Sequence, residues 1–354
     1  MTKSNDVWLV LLGALLLGTA ACTAAIDTAQ PPSSSVSAAQ QSPSRQAGAA
    51  TGATPGRTAA ARSPSSGNEP LPAPGKLEPF PGTPASAGAG AWHPAGRLVA
   101  GKAAVYETRL VPPGGTGQAG IAWMDANLLS ARLYSGSGSP GGGGYKYTAP
   151  VTSAAARSLV AAFNGGFMMP AAHGGYYTEG RTIDPLVRGS ASLVIYANGS
   201  ATVGAWGSDV TMTPSVVAVR QNLFPIVVDG QASARASTRT WRVWGSTWGD
   251  VDYQWRSGLG VTGDGALVYV AGSQLDPSQL AALLVRAGAV RGMELDINPS
   301  WPVFASYQPA TPEGPATPSN GTSLTDTYLG PATFFNPAYA RDFVTMSAAP
   351  APVH

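Results

Sequence analysis

The chain has 354 residues, and its 21 Lys and Arg against 19 Asp and Glu give a formal net charge of only +2 at pH 7. Charged residues make up 11% of the sequence and do not cluster as Lys and Arg on any predicted element, which argues against nucleic acid as a partner. The single cysteine, Cys22, excludes a fold held by internal disulfides, so an apolar core must stabilise the ordered part.

The first 22 residues form an export signal. Residues 1–6 are polar with one cation, Lys3, and residues 7–21 then run without a charge through a Leu-rich stretch. An apolar run of roughly 15 residues suits a signal core, whereas a spanning helix usually needs about 20. Cys22 follows small residues as in bacterial lipoprotein signals, although Thr19 stands where Leu is usual. We expect export with lipid attachment at Cys22; the alternatives are a short uncleaved anchor or a cysteine that leaves with the signal.

Residues 23–91 consist almost entirely of Ala, Pro, Ser, Gly, Thr and Gln. Such a composition has too little apolar surface to offset the entropy of ordering the chain. We predict a disordered tether that holds a single globular domain, residues 92–354, away from the cell membrane on its extracellular or cell-wall side.

From residue 92 onward, short apolar runs alternate with Gly and Asn turns, a pattern typical of many strands joined by tight connections. The predicted strands are residues 104–110, 119–123, 192–196, 201–206, 223–228, 259–262, 266–271 and 292–297. Asn198-Gly199 and Asp264-Gly265 mark hairpins, so Asn198 and Asp264 are interpreted as turn formers and not as catalysts.

Two helices are predicted between these strands. The first starts near Thr152 and runs through Val160, and the second begins at Asp276 and ends near Gly288. The fold class expected is α+β, with a mixed, mostly antiparallel sheet and helices packed on it.

Asn164-Gly165-Gly166 is the first candidate site segment. Paired glycines beside an aromatic residue let backbone amides approach a ligand closely, although a tight turn flanked by core phenylalanines explains them equally well. A stretch shortly after it adds polar and aromatic candidates for substrate binding at Tyr177, Glu179 and Arg181.

Arg256 is the second candidate, because it precedes a predicted strand in a cation-poor region. Arginine can hold a phosphate or carboxylate through two parallel hydrogen bonds. The alternative is an exposed arginine at a strand start.

Glu294 and Asp296 are the third candidate pair. They lie two apart on a predicted strand, so both side chains should project from one face while their neighbours pack into the core. Two close carboxylates push each other's proton affinities apart, which can make one an acid and leave the other a base or nucleophile. Alternatively, they form a solvated edge or pair with arginines such as Arg256.

Four features follow one another along the chain: the Asn-Gly-Gly-Phe run, the Arg-Ser-Gly-Leu-Gly-Val strand with its Asp-Gly hairpin, a helix, and Met-Glu-Leu-Asp. This ordered set resembles the phosphodiester glycosidase family over roughly residues 100–345. The resemblance implies hydrolysis at the anomeric carbon of a sugar joined through a phosphodiester, in cell-wall or exopolysaccharide metabolism. Asp296 would activate water or trap the oxocarbenium-like centre, with Glu294 as its partner. Arg256 would hold the phosphate, and Asn164 with the next two amides would position oxygens.

After Asp296 the chain departs from the family, whose glycine and serine run is replaced by a segment with Pro299 and Trp301. A sugar could stack on Trp301, or the loop could close the pocket. The alternative function is a noncatalytic surface lipoprotein that binds cell-wall glycan through aromatic residues: Trp301, Tyr176, Tyr177, Trp241, Trp244, Trp248 and Trp255.

No cofactor is firmly implied by the sequence. The internal histidines, His93 and His173, are too few and too far apart for a zinc site. A calcium or magnesium site that uses Asp250, Asp252 or Asp296 stays open, because hard cations need only oxygen ligands.

Overall fold

The structure is a computed structural model that describes residues 69–84, 86–238, 241–245 and 254–350. These residues belong to one compact unit. The predicted export signal, Cys22, most of the predicted tether, Trp248, Asp250 and Asp252 lie outside the described residues.

Three antiparallel sheets, with strands numbered along the chain, build the domain. The large sheet has the order β1 (His93–Val99), β2 (Lys102–Leu110), β3 (Ala119–Met124), β14 (Leu267–Leu275), β13 (Gln254–Thr262), β15 (Ala289–Glu294), β11 (Pro225–Val228) and β12 (Gln231–Ala232). The second sheet has the order β7 (Arg181–Asp184), β6 (Tyr176–Thr178), β10 (Val216–Gln221), β8 (Ala191–Tyr196) and β9 (Ala201–Ala205). The third has the order β17 (Gly321–Ser323), β16 (Phe304–Tyr307), β5 (Leu159–Asn164), β18 (Phe343–Ala348) and β4 (Leu129–Tyr134).

Helices contribute little to this architecture. They are α1 (Ser153–Ala156), α2 (Met169–Ala172), α3 (Trp241–Trp244) and α4 (Pro277–Arg286), with 3-10 turns at Ala234–Ser237, Pro318–Asn320 and Pro331–Phe335. The predicted α+β class is therefore wrong, and the domain is a β-rich sandwich of antiparallel sheets.

The predicted helix from Thr152 through Val160 shows why the class was wrong. Thr152 does cap a helix by accepting a hydrogen bond from the Ala155 amide, but α1 ends after one turn. The apolar run that follows, Leu159–Asn164, is β5, which pairs with both β16 and β18 and is buried along its whole length. A short continuous apolar run fits a buried strand as well as a helix, so periodicity alone does not separate them.

The helix predicted from Asp276 is confirmed as α4. The Asp276 side chain accepts a hydrogen bond from the Gln279 amide at 2.7 Å, and the Gln279 side chain accepts one from the Asp276 amide at 3.1 Å. The helix packs on β13, β14 and β15. A Cβ atom at Gly258 of β13 would lie 3.2 Å from the Leu280 side chain, so the bare glycine lets α4 approach the sheet closely.

Both predicted hairpins are confirmed. β8 and β9 are joined through Asn198-Gly199, and β13 and β14 through Asp264-Gly265. Gly199 and Gly265 adopt positive φ angles of 83° and 99°, which such turns require.

The inner faces of the three sheets share one apolar core. It includes buried side chains from the large sheet, the second sheet and the third sheet: Ile121, Val268, Leu193, Val203, Phe163 and Val344.

The described residues between 69 and 91, which the sequence analysis placed in the tether, lie against the domain. Leu71 and Phe80 pack partly buried on the core, and the Leu71 amide donates a hydrogen bond to Asp125 at 2.8 Å. The guanidinium of Arg286, at the end of α4, lies 4.3 Å from the centroid of the Phe80 ring. The few apolar residues in this Pro-rich stretch therefore suffice to fix it to the domain.

Within the described ranges, no helix has the length and apolar character needed to cross a membrane.

Candidate active site

Asp296 lies just past the end of β15 and is held there by backbone pairing with β13. The Ser257 amide donates to the Asp296 carbonyl at 2.8 Å. Asp296 is only 3% exposed; its Oδ2 accepts a hydrogen bond from Arg341 Nη2 at 2.7 Å, and its Oδ1 accepts one from the Asn298 amide at 2.9 Å. Burial raises the pKa of Asp296, and the positive charge of Arg341 partly opposes that shift.

Arg341 also joins Asp296 to the Asn-Gly-Gly segment. The same Nη2 atom donates to the Gly166 carbonyl at 2.8 Å. Arg341 Nε is buried and has no hydrogen-bond partner among the described residues. The first and last motifs of the sequence resemblance therefore meet at one guanidinium group, which the sequence analysis did not select.

Asn164 is buried in a network that uses the whole amide group. Its Oδ1 accepts from the Tyr269 hydroxyl at 2.7 Å and from the Val303 amide at 3.1 Å. Its Nδ2 donates to the Gly165 carbonyl at 2.8 Å and to Ser257 Oγ at 3.2 Å. Since an amide side chain offers two acceptor and two donor sites, Asn164 ties strands together in this structure and has no hydrogen-bonding capacity left for a ligand.

The two glycines after Asn164 are required by buried polar side chains. A Cβ atom at Gly165 would lie 2.0 Å from Asp342 Oδ2, and one at Gly166 would lie 2.6 Å from Asn222 Oδ1 and 2.9 Å from Arg220 Cζ. The close approach that the sequence suggested is therefore made by the protein's own polar groups.

Arg220 and Asp342 form a second buried ion pair that sequence reasoning missed. Arg220 is 2% exposed and Asp342 1%, and Nε and Oδ2 are 2.9 Å apart. Arg220 also donates to the Phe167 carbonyl, and the Ser139 hydroxyl donates to Asp342 Oδ1 at 2.8 Å. A sequence signal for both residues did exist. Each is a charged residue within or beside an apolar strand, which is unusual in a chain with so few charged residues.

Glu294 pairs with Arg256, as the structural alternative in the sequence analysis proposed. Both side chains are buried, and Arg256 Nη1 lies 2.5 Å from Glu294 Oε1. Arg256 Nε also donates to the Leu275 carbonyl at 2.8 Å. Burial raises the pKa of Glu294 to about 7, with Arg256 opposing the shift and Asp296 adding a smaller upward contribution. Glu294 and Asp296 thus each have their own arginine.

Asn222 connects these pairs through the backbone. Its Nδ2 donates to the carbonyls of Glu294 at 2.9 Å and Leu295 at 3.1 Å, while its Oδ1 accepts from the Phe167 amide at 3.0 Å. The three ion pairs and two asparagines form one continuous polar network where the three sheets meet.

Tyr177, Glu179 and Arg181 lie on the hairpin of β6 and β7. Glu179 accepts hydrogen bonds from the amides of Lys146 and Tyr147, both at 3.0 Å, and lies 3.8 Å from the half-exposed Arg181. No hydrogen bond or ion pair between described residues joins this hairpin to Asp296. Its polar side chains position a neighbouring loop.

Trp301 is partly buried with the guanidinium of Arg341 over its ring, 4.8 Å from the centroid, and with Tyr339 at 6.2 Å between ring centroids. Trp244 is 1% exposed and Tyr176 is fully buried. The side chain of Trp241 lies outside the described residues, and Trp255 is partly buried. Packing therefore accounts for most of the described aromatic residues on which the glycan-binding alternative relied.

Across the described ranges, no group of three or more His, Cys, Asp or Glu side chains is placed to hold a metal ion. The calcium or magnesium site suggested by the sequence also used Asp250 and Asp252, which lie outside those ranges, so this site stays a prediction.

Comparisons with known proteins show a remote structural likeness. No family model matches the chain, and no curated protein matches it. The catalytic domain of zebrafish N-acetylglucosamine-1-phosphodiester α-N-acetylglucosaminidase, auto-inhibited by its pro-peptide, is 15% identical with a TM-score of 0.43, over 73% of this chain and 88% of that one. A hypothetical protein from Synechocystis is 11% identical with a TM-score of 0.37, over 70% and 63%. A protein from Burkholderia pseudomallei is 13% identical with a TM-score of 0.36, over 66% of this chain and 75% of that one. The phosphodiester glycosidase assignment stays a prediction.

Proposed function

We propose that this protein is an exported, N-terminally tethered hydrolase that cleaves the bond between the anomeric carbon of a sugar and a phosphodiester. The proposal starts from the ordered motifs of the sequence. The observation that supports it best is the contact of Arg341 with both Asp296 and the Gly166 carbonyl, because it brings the first and last motifs into one buried site.

Asp296 is the residue we assign to the chemical step. A carboxylate whose pKa is raised by burial is a stronger base than an exposed one and is better suited to take a proton from water. The water oxygen bonds to the anomeric carbon, the bond from that carbon to the phosphate oxygen breaks, and the phosphomonoester leaves with the bonding electrons.

Arg341 takes the phosphate-binding role that the sequence analysis gave to Arg256. Arg256 is occupied by Glu294 and by backbone carbonyls. Arg341 lies beside Asp296 and keeps a buried Nε without a described partner, so it has a donor for a phosphate oxygen.

The test is release of free sugar from a panel of sugar-1-phosphodiesters, including the N-acetylglucosamine derivative, by the purified full-length chain. We expect Asp296→Asn to lower turnover about 100-fold or more, because a positioned acid or base supplies at least that factor. The matched control is Asp326→Asn, which changes an exposed carboxylate and should leave turnover unchanged.

Thermal unfolding of both variants checks that the fold is kept. Retention of more than about a tenth of wild-type turnover in folded Asp296→Asn would contradict the role of Asp296. Absence of release from every donor by the wild-type chain would contradict the proposed activity.

A further inference from the structure

A cleft of about 430 Å³ lies over the third sheet, between β4, the end of β18, α1 and the loop around Tyr147. Neither Asp296, Arg341 nor Gly166 lines it. It is therefore a site separate from the one proposed for hydrolysis. We call it the β4–β18 cleft.

Two cations lie in this cleft on one aromatic ring. The Arg132 guanidinium lies 4.1 Å from the centroid of the Tyr147 ring, and Lys146 Nζ lies 5.2 Å from it. Both cations are exposed, and neither makes an ion pair with any residue that the structure describes. The stacking holds the guanidinium in place while its N–H groups stay available.

No carboxylate is among the described residues that line the β4–β18 cleft. The acid next to it, Glu179, lines the adjoining cleft, and its two oxygens accept hydrogen bonds from the amides of Lys146 and Tyr147. In a chain whose net charge is only +2, this local excess of positive charge attracts anions.

The ring that carries the cations is fixed by its backbone. The Tyr147 amide donates to Glu179 at 3.0 Å, and its carbonyl accepts from the Ser135 amide at 2.9 Å. The Tyr134 ring lies 5.9 Å away between centroids. A ligand would therefore meet a preorganised surface, which lowers the entropic cost of binding.

Six of the other lining residues carry a hydroxyl group on a short side chain, and Tyr134, Ala155, Ala348 and Pro350 complete the lining; the six are Ser130, Thr148, Thr152, Ser158, Thr345 and Ser347. Thr152 and Ser158 are engaged with the backbone of Ala155. The hydroxyls of Thr148 and Ser347 bond to no other described residue and can both donate and accept. Hydroxyl groups that act both ways match the hydroxyls of a sugar.

We propose that the β4–β18 cleft binds an anionic saccharide, in which a phosphate or a carboxylate group lies against Arg132 and Lys146 and the sugar hydroxyls face the hydroxyl lining. The cleft volume is in the range of small-molecule sites. The proposal does not depend on the hydrolytic activity.

Isothermal titration calorimetry with the full-length chain tests this proposal. The ligands are tetragalacturonate as the carboxylate probe, glucose 6-phosphate as the phosphate probe and maltotetraose as the neutral control. We expect at least one anionic probe to bind, with a Kd that rises with salt, and maltotetraose to bind at least about tenfold more weakly. Binding of only one anionic probe identifies the anion.

Arg132→Gln and Lys146→Gln should each raise the Kd of that probe by about tenfold, because each removes a charged hydrogen-bond donor. The matched control is Lys102→Gln, which removes an exposed cation on β2 and should leave the Kd unchanged. Asp296→Asn should also bind as the wild type does, which separates this proposal from the hydrolytic one.

Three results would overturn it: no binding of either anionic probe, equal binding of maltotetraose, or an unchanged Kd in the Arg132→Gln, Lys146→Gln double variant.

Discussion

Glu294 shows what burial does to a single carboxyl group in this protein. The side chain is fully buried, one oxygen contacts Arg256, and Oε2 has no hydrogen-bond partner among the described residues. Loss of water is the largest effect on this carboxyl group, so its neutral form is favoured up to an unusually high pH.

This shift makes the free energy of unfolding depend on pH. The pKa of Glu294 rises from 4.5 to about 7 in the folded protein, so between these values the folded state keeps a proton that the unfolded chain releases. Stability should therefore fall as pH rises through that window, by roughly 1.4 kcal/mol for each unit of pKa shift. Urea unfolding at pH 5 and pH 8 should show a smaller fall for Glu294→Gln than for the wild type.

Glu313→Gln is the matched control, because this exposed carboxyl should leave the pH dependence as it is. If Glu294→Gln and the wild type lose the same stability between the two pH values, the pKa of Glu294 is not raised.

At the residue scale, the sequence selected two residues of the candidate site. Asp296 and Gly166 were selected from local motifs, and the structure brings both to Arg341. Arg341 and Arg220 were missed because their partners are far apart in the chain, and no local pattern shows which distant carboxylate an arginine will contact. The same reason explains why Arg256 was assigned to a phosphate when its partner is Glu294.

At the element scale, the close contact between α4 and the large sheet depends on glycine in the strand that faces the helix. Gly258→Ala would place a Cβ atom 3.0 Å from the Met293 carbonyl and 3.2 Å from the Leu280 side chain. Such overpacking typically costs about 1–3 kcal/mol, and we expect a loss of that size in urea unfolding.

Gly263→Ala is the matched control, because in the hairpin after β13 the nearest atom to a new Cβ is 3.8 Å away. Equal stability of the two alanine variants would show that α4 does not pack as closely on β13 as described.

Elements were predictable where local chemistry decides them. The capping of α4 by Asp276 and the Gly199 and Gly265 turns have local causes, and all three were predicted. The strand β5 was not predicted over its full length, because its conformation is set by pairing with β16 and β18, which come much later in the chain.

At the scale of the whole molecule, the domain extends towards the N-terminus beyond the boundary inferred from composition. Leu71, Leu77 and Phe80 pack on the core, and Arg286 donates a hydrogen bond to the Glu78 carbonyl at 2.5 Å. The average composition of residues 23–91 did not indicate this contact, because a few spaced apolar residues are enough to attach a segment to the core.

A chain that begins at residue 92 should therefore be less stable than one that begins at residue 69. Each apolar side chain that loses its contacts removes about 1–2 kcal/mol, and each kcal/mol lowers the Tm of a domain of this size by about 2–4 °C. Thermal unfolding of the two chains measures the difference. Equal Tm values would place residues 69–91 outside the folded unit.

The polar network at the meeting point of the three sheets has a consequence for mutational screens. Removing one member of a buried ion pair typically costs about 3–5 kcal/mol, a large share of the stability of an ordinary domain. Alanine replacements at Arg220, Arg341 or Asp342 would therefore deplete the protein in the cell before any effect on chemistry could be seen. A screen that scores only growth or product would not separate loss of folded protein from loss of chemistry, so abundance must be measured beside activity for every variant of this network.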